Sequence, residues 1–181
     1  LTYRSKHNID THFAGVQDSN QNCMGSDSSV YGKKTWTENE ECLFDGSCNY
    51  ATSTSRGYTK NILANVWIDS SNEYWTTTLP IEDAEVKVMV SRGWISDIMV
   101  SDGGGSSWRQ RYTLDLYYAD PEDEGATYRL SGYWSEADLI VSDDRYVAAV
   151  IGGLQESFEN FDTFKDGEEC KDRESTEEDW E

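Results

Sequence analysis

The chain has 181 residues, enough for one domain with a substantial core. Its 35 Asp and Glu residues against 15 Lys and Arg residues give a formal net charge of −20, and a field of that sign repels nucleic acids. Nucleic-acid binding is therefore excluded, and the chain contains no run of about 18 apolar residues that would predict a membrane span.

Cysteine and histidine usage indicates disulfides. The first 59 residues hold Cys23, Cys42 and Cys48, and the fourth cysteine is Cys170. No C-x-x-C pair occurs and only two histidines are present, so a zinc site lacks ligands. Of three possible connectivities, we favour Cys42–Cys48 with Cys23–Cys170. Disulfides indicate an oxidising compartment, and the chain is interpreted as a mature secreted, extracellular protein whose leader has been removed.

From about Lys60 onward the sequence has the pattern of β-strands. In AEVKVMV, Val86, Val88 and Val90 alternate with other side chains, the period of a strand with one buried face. Further strands are predicted in NILANVWID, ISDIMV, QRYTLDLYY, TYRLSGYW, DLIV and RYVAAVIGG. Trp134 of TYRLSGYW is expected in the core, and RYVAAVIGG is apolar enough for a central strand.

Turn-like segments separate these strands at short intervals: SSNE, DGGGSS, DPEDEG and SDD. This spacing favours an all-β fold, an antiparallel β-sandwich of jelly-roll type. We expect a single domain over residues 1–153, in which residues 1–59 are irregular and held by disulfides. LQESFENFDTF repeats Leu154, Phe158 and Phe161 at helical spacing, so residues 154–181 are interpreted as at most one short helix and an acidic tail.

Three consecutive glycines occur in SDGGGSSW, residues 101–108. A phosphate-binding glycine loop requires a following helix whose N-terminal amides hold the anion, whereas a predicted strand follows here. The stretch is interpreted as a hairpin or inter-sheet loop in which glycine supplies positive φ angles.

Five segments occur in this order along the chain: DSSNEYWTT (Asp69 to Thr77), AEVKVMVSRGWISDIMV, SDGGGSSW, YTLDLYY and DRYVAAVIGG. Their order resembles that of the discoidin, or coagulation factor 5/8 type C, family of galactose-binding-like jelly rolls. The match covers residues 60 to 153 and consists of short motifs. The resemblance implies adhesion or recognition of glycans, lipid head groups or matrix proteins without catalysis, in some members with a structural calcium ion.

Oxygen-bearing side chains close together in the sequence suit calcium. Asp69, Asn72 and Glu73 fall in one predicted turn and are the candidate ligands. A second acidic turn is DPEDEG. Neither matches an EF-hand loop, and solvated turns explain the same residues, so both interpretations stay open; no other cofactor is expected.

Aromatic residues in or beside predicted loops are candidates for ligand binding. A tryptophan there could stack on a sugar ring or a partner surface, and core packing is the alternative for each. One face of QRYTLDLYY, beside Arg129, Ser131 and Tyr133, offers polar groups of the kind that bind hydroxyls. The predicted ligand-binding residues are Trp67, Trp75, Trp94, Trp108, Arg109, Arg111, Asp115 and Tyr117.

No catalytic constellation is identified, because His7 and His12 both lie in the first twelve residues and no G-x-S-x-G motif occurs. We predict a non-enzymatic, lectin-like binding or adhesion module whose partner is a glycan or an extracellular matrix protein. The alternative is a self-assembling structural subunit of a matrix, filament or mineral-associated assembly. A third possibility, an up-and-down barrel holding an apolar small molecule, predicts one continuous cavity.

Overall fold

The computed structural model describes residues 1–60, 65–81 and 84–167, which contain eight strands and three helices. The strands are β1 (Thr2–Ser5), β2 (Ser29–Glu38), β3 (Tyr50–Lys60), β4 (Asn65–Ile81), β5 (Ala84–Ile95), β6 (Met99–Val100), β7 (Ser107–Asp120) and β8 (Asp123–Asp138). The helices are α1 (Ile9–Gln17), α2 (Glu40–Asp45) and α3 (Asp143–Lys165). None of these helices is long and apolar enough to cross a membrane.

All eight strands belong to one antiparallel sheet. Its order is β1-β8-β7-β5-β4-β3-β2, and the short β6 pairs with β7. Strands that follow one another in the chain therefore lie side by side, as hairpins require. There are two exceptions: α1 carries the chain from one edge strand, β1, to the other, β2, and β6 pairs with β7 instead of with β5.

The predicted all-β fold, antiparallel and sandwich-like, is confirmed. The sheet forms one layer, and α1 and α3 pack together against one of its faces, here called the inner face. The up-and-down strand order differs from the predicted jelly roll, in which the chain crosses repeatedly between two sheets. Short connections between strands exclude such crossings. For example, only two residues connect β7 to β8, between Asp120 and Asp123, too few to reach a second sheet.

The segment RYVAAVIGG, predicted as a central strand, is instead part of α3. Ser142 is the N-cap in an extended conformation, and Asp143 places negative charge in the first turn, where the helix dipole favours it. The branched residues that suggested a strand do not enter the core, since Val147 is 53% and Ile151 is 44% exposed. The predicted boundary at residue 153 falls inside this continuous helix.

The first 59 residues, predicted to be irregular, contain β1, α1, β2, α2 and most of β3. This regular secondary structure could not be predicted from the polar composition of the segment. The reason is that β3 buries small or hydroxyl-bearing side chains: Ala51, Ser53 and Tyr58. The predicted Cys42–Cys48 disulfide is confirmed. Cys23 is also disulfide-bonded, and its predicted partner, Cys170, lies outside the described residues.

The glycine run forms the tip of the hairpin between β6 and β7, as predicted. Met99 pairs with Trp108 at its base, and the Ser101 amide donates to the Ser106 carbonyl at 2.9 Å. Gly104 has a φ of 68°, a conformation that favours glycine. Because a strand follows and not a helix, this turn has no phosphate-binding geometry.

Two clusters of buried side chains form the core on the inner side of the sheet. The first contains Ile9, Phe13, Leu43, Ala51, Tyr74, Met89 and Tyr117. The second contains Val66, Ile95, Met99 and Trp108. Both clusters contribute residues to the wall of one cavity, which lies between the sheet and the helices.

Candidate ligand-binding site

The inner face of β7 and β8 carries polar side chains. The cavity wall includes Arg111, Thr113, Asp115 and Tyr117 of β7 and Arg129 and Tyr133 of β8. The apolar residues that alternate with them point outward: Tyr112, Leu114, Leu130 and Trp134 are 36–57% exposed. The predicted alternation is confirmed. The prediction that Trp134 lies in the core is wrong, because the polar face of β8, and not its apolar face, is the one that packs toward the helices.

The cavity has a volume of about 500 Å³. Strands β2 to β8 form its floor, and α1, α3 and the segment after α1 form the other walls. This volume lies within the range of about 300 to 1,000 Å³ that is typical of small-molecule sites.

Hydroxyl and amide groups line the centre of the floor. Asn72 Nδ2 donates to Ser53 Oγ at 3.3 Å and to Ser55 Oγ at 3.1 Å. Beside it lies Gly93, where a Cβ atom would be 2.8 Å from both Asn72 Oδ1 and Thr113 Oγ1. Glycine is therefore required for these two polar groups to approach each other across β5.

The helical side of the cavity is mostly apolar. Helix α3 contributes Val150, Leu154 and Phe161, and the N-terminal part of the chain contributes Val16 and Met24. The cavity is thus amphipathic, with polar groups along the sheet and apolar groups along the helices.

Tyr146, in the first turn of α3, contributes to the wall of the cavity. Its hydroxyl accepts a hydrogen bond from Trp108 Nε1 at 3.0 Å and lies 2.7 Å from the Tyr133 hydroxyl and 3.0 Å from Ser135 Oγ. Burial raises the pKa of Tyr133, so this phenol stays protonated at neutral pH. The hydroxyl cluster connects the start of α3 to β7 and β8.

Asp115 and Arg129 form an ion pair on the inner face. Arg129 Nε and Nη2 lie 3.2 Å and 3.1 Å from Asp115 Oδ1, and Ser131 Oγ donates to the same oxygen. The guanidinium also lies over the rings of Tyr117 and Phe158, at 5.0 Å and 4.4 Å from their centroids. The two charges therefore compensate each other within the protein.

Lys34, on β2, is a buried cation without a carboxylate partner among the described residues. The residue is 8% exposed and lines the cavity. Its ammonium donates to the Val16 carbonyl at 2.6 Å and lies over the rings of Trp36 and Tyr74, at 5.4 Å and 5.1 Å. Burial lowers the pKa of Lys34 to about 7.

Arg111 is a second cation that faces the cavity. It is half-buried, and its guanidinium lies 5.4 Å from the centre of the Tyr133 ring. In the described part of the chain no carboxylate forms an ion pair with it. The inner face therefore has one compensated ion pair and two cations, Lys34 and Arg111, that form no ion pair with an acidic side chain of the described residues.

His12, on α1, is stacked on Phe161 of α3. The ring centroids are 4.3 Å apart with an interplanar angle of 18°. His12 is 4% exposed, and its Nε2 atom has no hydrogen-bond partner within the described residues. Burial lowers the pKa of His12 to about 3, so the ring is neutral at physiological pH.

The structure divides the predicted ligand-binding residues between the two faces of the sheet. Trp108, Arg111, Asp115 and Tyr117 are on the inner side and line the cavity. Trp67, Trp75 and Arg109 lie on the outer side: Arg56 is over Trp67, Arg92 is over Trp75, and Arg109 pairs with Asp138 at 2.6 Å. Trp94 lies beside Tyr112 and under Arg92, but it also contributes to the cavity wall. A single site of all eight residues is therefore not formed.

The three candidate calcium ligands do not converge. The predicted turn is the interior of β4, so the side chain of Asn72 points inward and those of Asp69 and Glu73 point outward. Glu73 accepts hydrogen bonds from Tyr50 and Arg92. No group of three His, Cys, Asp or Glu side chains suited to a metal occurs among residues 1–60, 65–81 and 84–167.

The discoidin resemblance stays a prediction, but two of its segments lie elsewhere than the family pattern implies. DSSNEYWTT is inside β4 and not in a loop, and DRYVAAVIGG is in α3 and not in a strand.

Sequence reasoning missed Lys34 and His12. Both lie in the polar N-terminal part that was expected to be irregular. The sequence has one indication of a strand at Lys34, which follows YGK and stands two residues before Trp36. A lysine in a strand is usually exposed, so this indication did not predict its burial.

Comparison with known proteins identifies no family. No protein-family model matches the chain, and no curated protein matches it. Among solved structures, the chain is similar to the di-domain ARO/CYC StfQ from the steffimycin biosynthetic pathway, with a TM-score of 0.43 and 8% identity over 92% of this chain and 45% of that chain. The chain thus spans less than half the length of that protein. A likeness this weak identifies no activity, so function is inferred from the cavity.

Proposed function

We propose that the protein is a secreted, non-catalytic binding module that holds a small amphipathic molecule between the sheet and α3. The observation that carries the proposal is the cavity of about 500 Å³ with a polar floor and an apolar helical side. A ring compound with oxygen-bearing groups on one face would place them against Ser55, Asn72 and Thr113, and its apolar face against Val150 and Leu154.

This proposal keeps the hydroxyl-binding face that the sequence predicts but changes the ligand. Arg111, Asp115 and Tyr117 line a concave cavity between the sheet and the helices. Such a site suits a small molecule better than a polymer. The Cys42–Cys48 disulfide supports an extracellular location for the module.

Two adjacent residues of β7 provide the test. Thr113 faces the cavity, whereas Leu114 is on the outer face and 42% exposed. The probe is N-phenyl-1-naphthylamine, whose fluorescence rises on transfer from water to an apolar site. We expect saturable one-to-one binding to the wild type and to Leu114→Trp, and loss of binding in Thr113→Trp, which fills the cavity. Equal binding to both variants, or no binding to the wild type, would contradict the proposal.

A second candidate function is glycan recognition on the outer face. Trp94, Tyr112 and Trp134 are paired across three neighbouring strands and form an aromatic row. Trp134 is 57% exposed, and its ring lies against Gly132, where a Cβ atom would be 2.7 Å from the indole. A flat exposed ring of this kind can stack on a pyranose.

A glycan array tests this second candidate. We expect Trp134→Ala to lose the glycans that the wild type retains, while the inner-face variant Thr113→Trp keeps them. Retention that is unchanged in Trp134→Ala would exclude the aromatic row as the glycan site.

A further inference from the structure

We propose that the ligand of the cavity is an organic anion and that the Lys34 ammonium is its counter-ion. The inference rests on the proposed function and adds the charge class of the ligand.

The distribution of charge is the first observation. The chain carries 35 acidic and 15 basic residues. Asp115 is nevertheless the one acidic residue among the described residues that line the cavity, and Arg129 neutralises it. Lys34 and Arg111 remain without an acidic partner there. The interior of the site is therefore positive in a strongly negative protein.

The burial of Lys34 without an ion pair to a described residue is the second observation. An ammonium removed from water is unfavourable unless a counter-ion compensates it, and buried charges in proteins are normally paired. At 8% exposure Lys34 meets one carbonyl oxygen and two aromatic rings, and no described carboxylate forms an ion pair with it. A carboxylate or sulfonate group of a ligand would supply the missing charge.

Lys34 also has a structural contact that must be separated from this role. Its bond to the carbonyl of Val16 satisfies an acceptor in the last turn of α1. An ammonium has three N–H donors, however, and this contact uses one. Donors therefore remain for an acidic group in the cavity.

Arg111 is the competing cation. It is half-buried, so solvent compensates its charge in part, and its guanidinium lies over Tyr133. Lys34 is the more buried of the two and has the greater need of a counter-ion, which is why we assign the acidic group to Lys34.

A matched pair of fluorescent probes separates charge from apolar binding. 1-Anilinonaphthalene-8-sulfonate and N-phenyl-1-naphthylamine share the same ring system and differ by the sulfonate. Both are titrated into the wild type, Lys34→Met and Arg111→Met at pH 6. Lys60→Met is the control, because Lys60 is exposed, is not among the residues that line the cavity, and its loss changes the net charge equally.

We expect Lys34→Met to weaken binding of the sulfonate probe about tenfold or more, the usual effect of losing a charge-assisted hydrogen bond. Binding of the neutral probe should change less than about twofold, which also shows that the variant is folded. Lys60→Met should leave both affinities unchanged. Equal weakening of both probes, no effect in Lys34→Met, or a selective loss in Arg111→Met alone would overturn the assignment. Failure of both probes to bind the wild type would instead reject the proposed function.

Discussion

Tyr3 on β1 donates a hydrogen bond to Asp162 on α3 at 3.0 Å, which fixes the last helix to the first strand. Ser5 donates to the other oxygen of the same carboxylate, and the amide of Lys6 adds a contact at 3.4 Å. Asp162 is 7% exposed and Ser5 is fully buried. Because α3 covers the cavity, this carboxylate holds one side of the site in place.

Asp162→Ala should lower the free energy of unfolding by about 2–4 kcal/mol, since it leaves buried hydroxyl groups without their acceptor. Glu159→Ala, an exposed change on the same helix, should alter it by less than about 0.5 kcal/mol. Urea denaturation measures both. Equal effects of the two substitutions would show that Asp162 does not anchor α3.

His12 should make the fold acid-sensitive. Its pKa is about 3 in the folded protein and 6.5 in the unfolded chain, so the unfolded state binds more protons as the pH falls through this interval. Burial is the main cause, and the nearby positive groups Arg129, His7 and Lys165 add to it. Stability should fall by about 2 kcal/mol between pH 6.5 and pH 5.

His12→Phe keeps the stacking on Phe161 and should remove this acid-dependent loss. The measurement is urea denaturation of both proteins at pH 6.5 and pH 5. A loss of the same size in both would assign the acid sensitivity to other groups.

Lys34 should limit stability near neutral pH. Its pKa is about 7 in the folded protein and 10.5 in the unfolded chain. Between these values the unfolded state binds more protons, so stability should rise by about 2 kcal/mol from pH 7 to pH 9. Burial is the main cause; Asp18 and Asp115 oppose the lowering of this pKa, and Arg129 adds to it.

Lys34→Met should be about 1–4 kcal/mol more stable than the wild type at pH 7 and should lack this pH dependence, because a buried charge is replaced by an apolar chain of similar shape. Thermal unfolding at pH 7 and pH 9 measures both effects. A destabilised Lys34→Met variant would indicate that the contact with Val16 outweighs the cost of burying the charge.

Gly93 should tolerate no side chain. A Cβ atom there would be 2.8 Å from Asn72 Oδ1 and Thr113 Oγ1, so Gly93→Ala should cost about 1–3 kcal/mol. Gly152→Ala is the control, because open space surrounds that position and alanine favours a helix by about 0.5–1 kcal/mol. Opposite signs are expected in urea denaturation, and a neutral Gly93→Ala would show that the floor can rearrange.

Alternation of side chains predicted β5, β7 and β8 and their two faces, because a strand has a strict period of two. It did not indicate which face is covered. The apolar face of β8, with Leu130 and Trp134, points to solvent, and the face with Arg129 and Tyr133 lines the cavity. A cavity with a polar floor inverts the usual rule that polar side chains are exposed.

The location of α3 could not be predicted from local pattern. Val147 and Ile151 favour a strand by composition, yet packing of Phe158 and Phe161 farther along the chain fixes a helix against Arg129 and His12. The burial of Lys34 could not be predicted either, because it depends on contacts with α1 and β4, which are distant from Lys34 in the sequence.

The most direct test of a ligand site between the sheet and α3 is an NMR measurement of contacts between N-phenyl-1-naphthylamine and protein methyl groups. The account predicts nuclear Overhauser effects from the probe to the methyls of Thr113, Val150 and Leu154. Effects confined to Leu114 and Leu116, on the outer face, would contradict it.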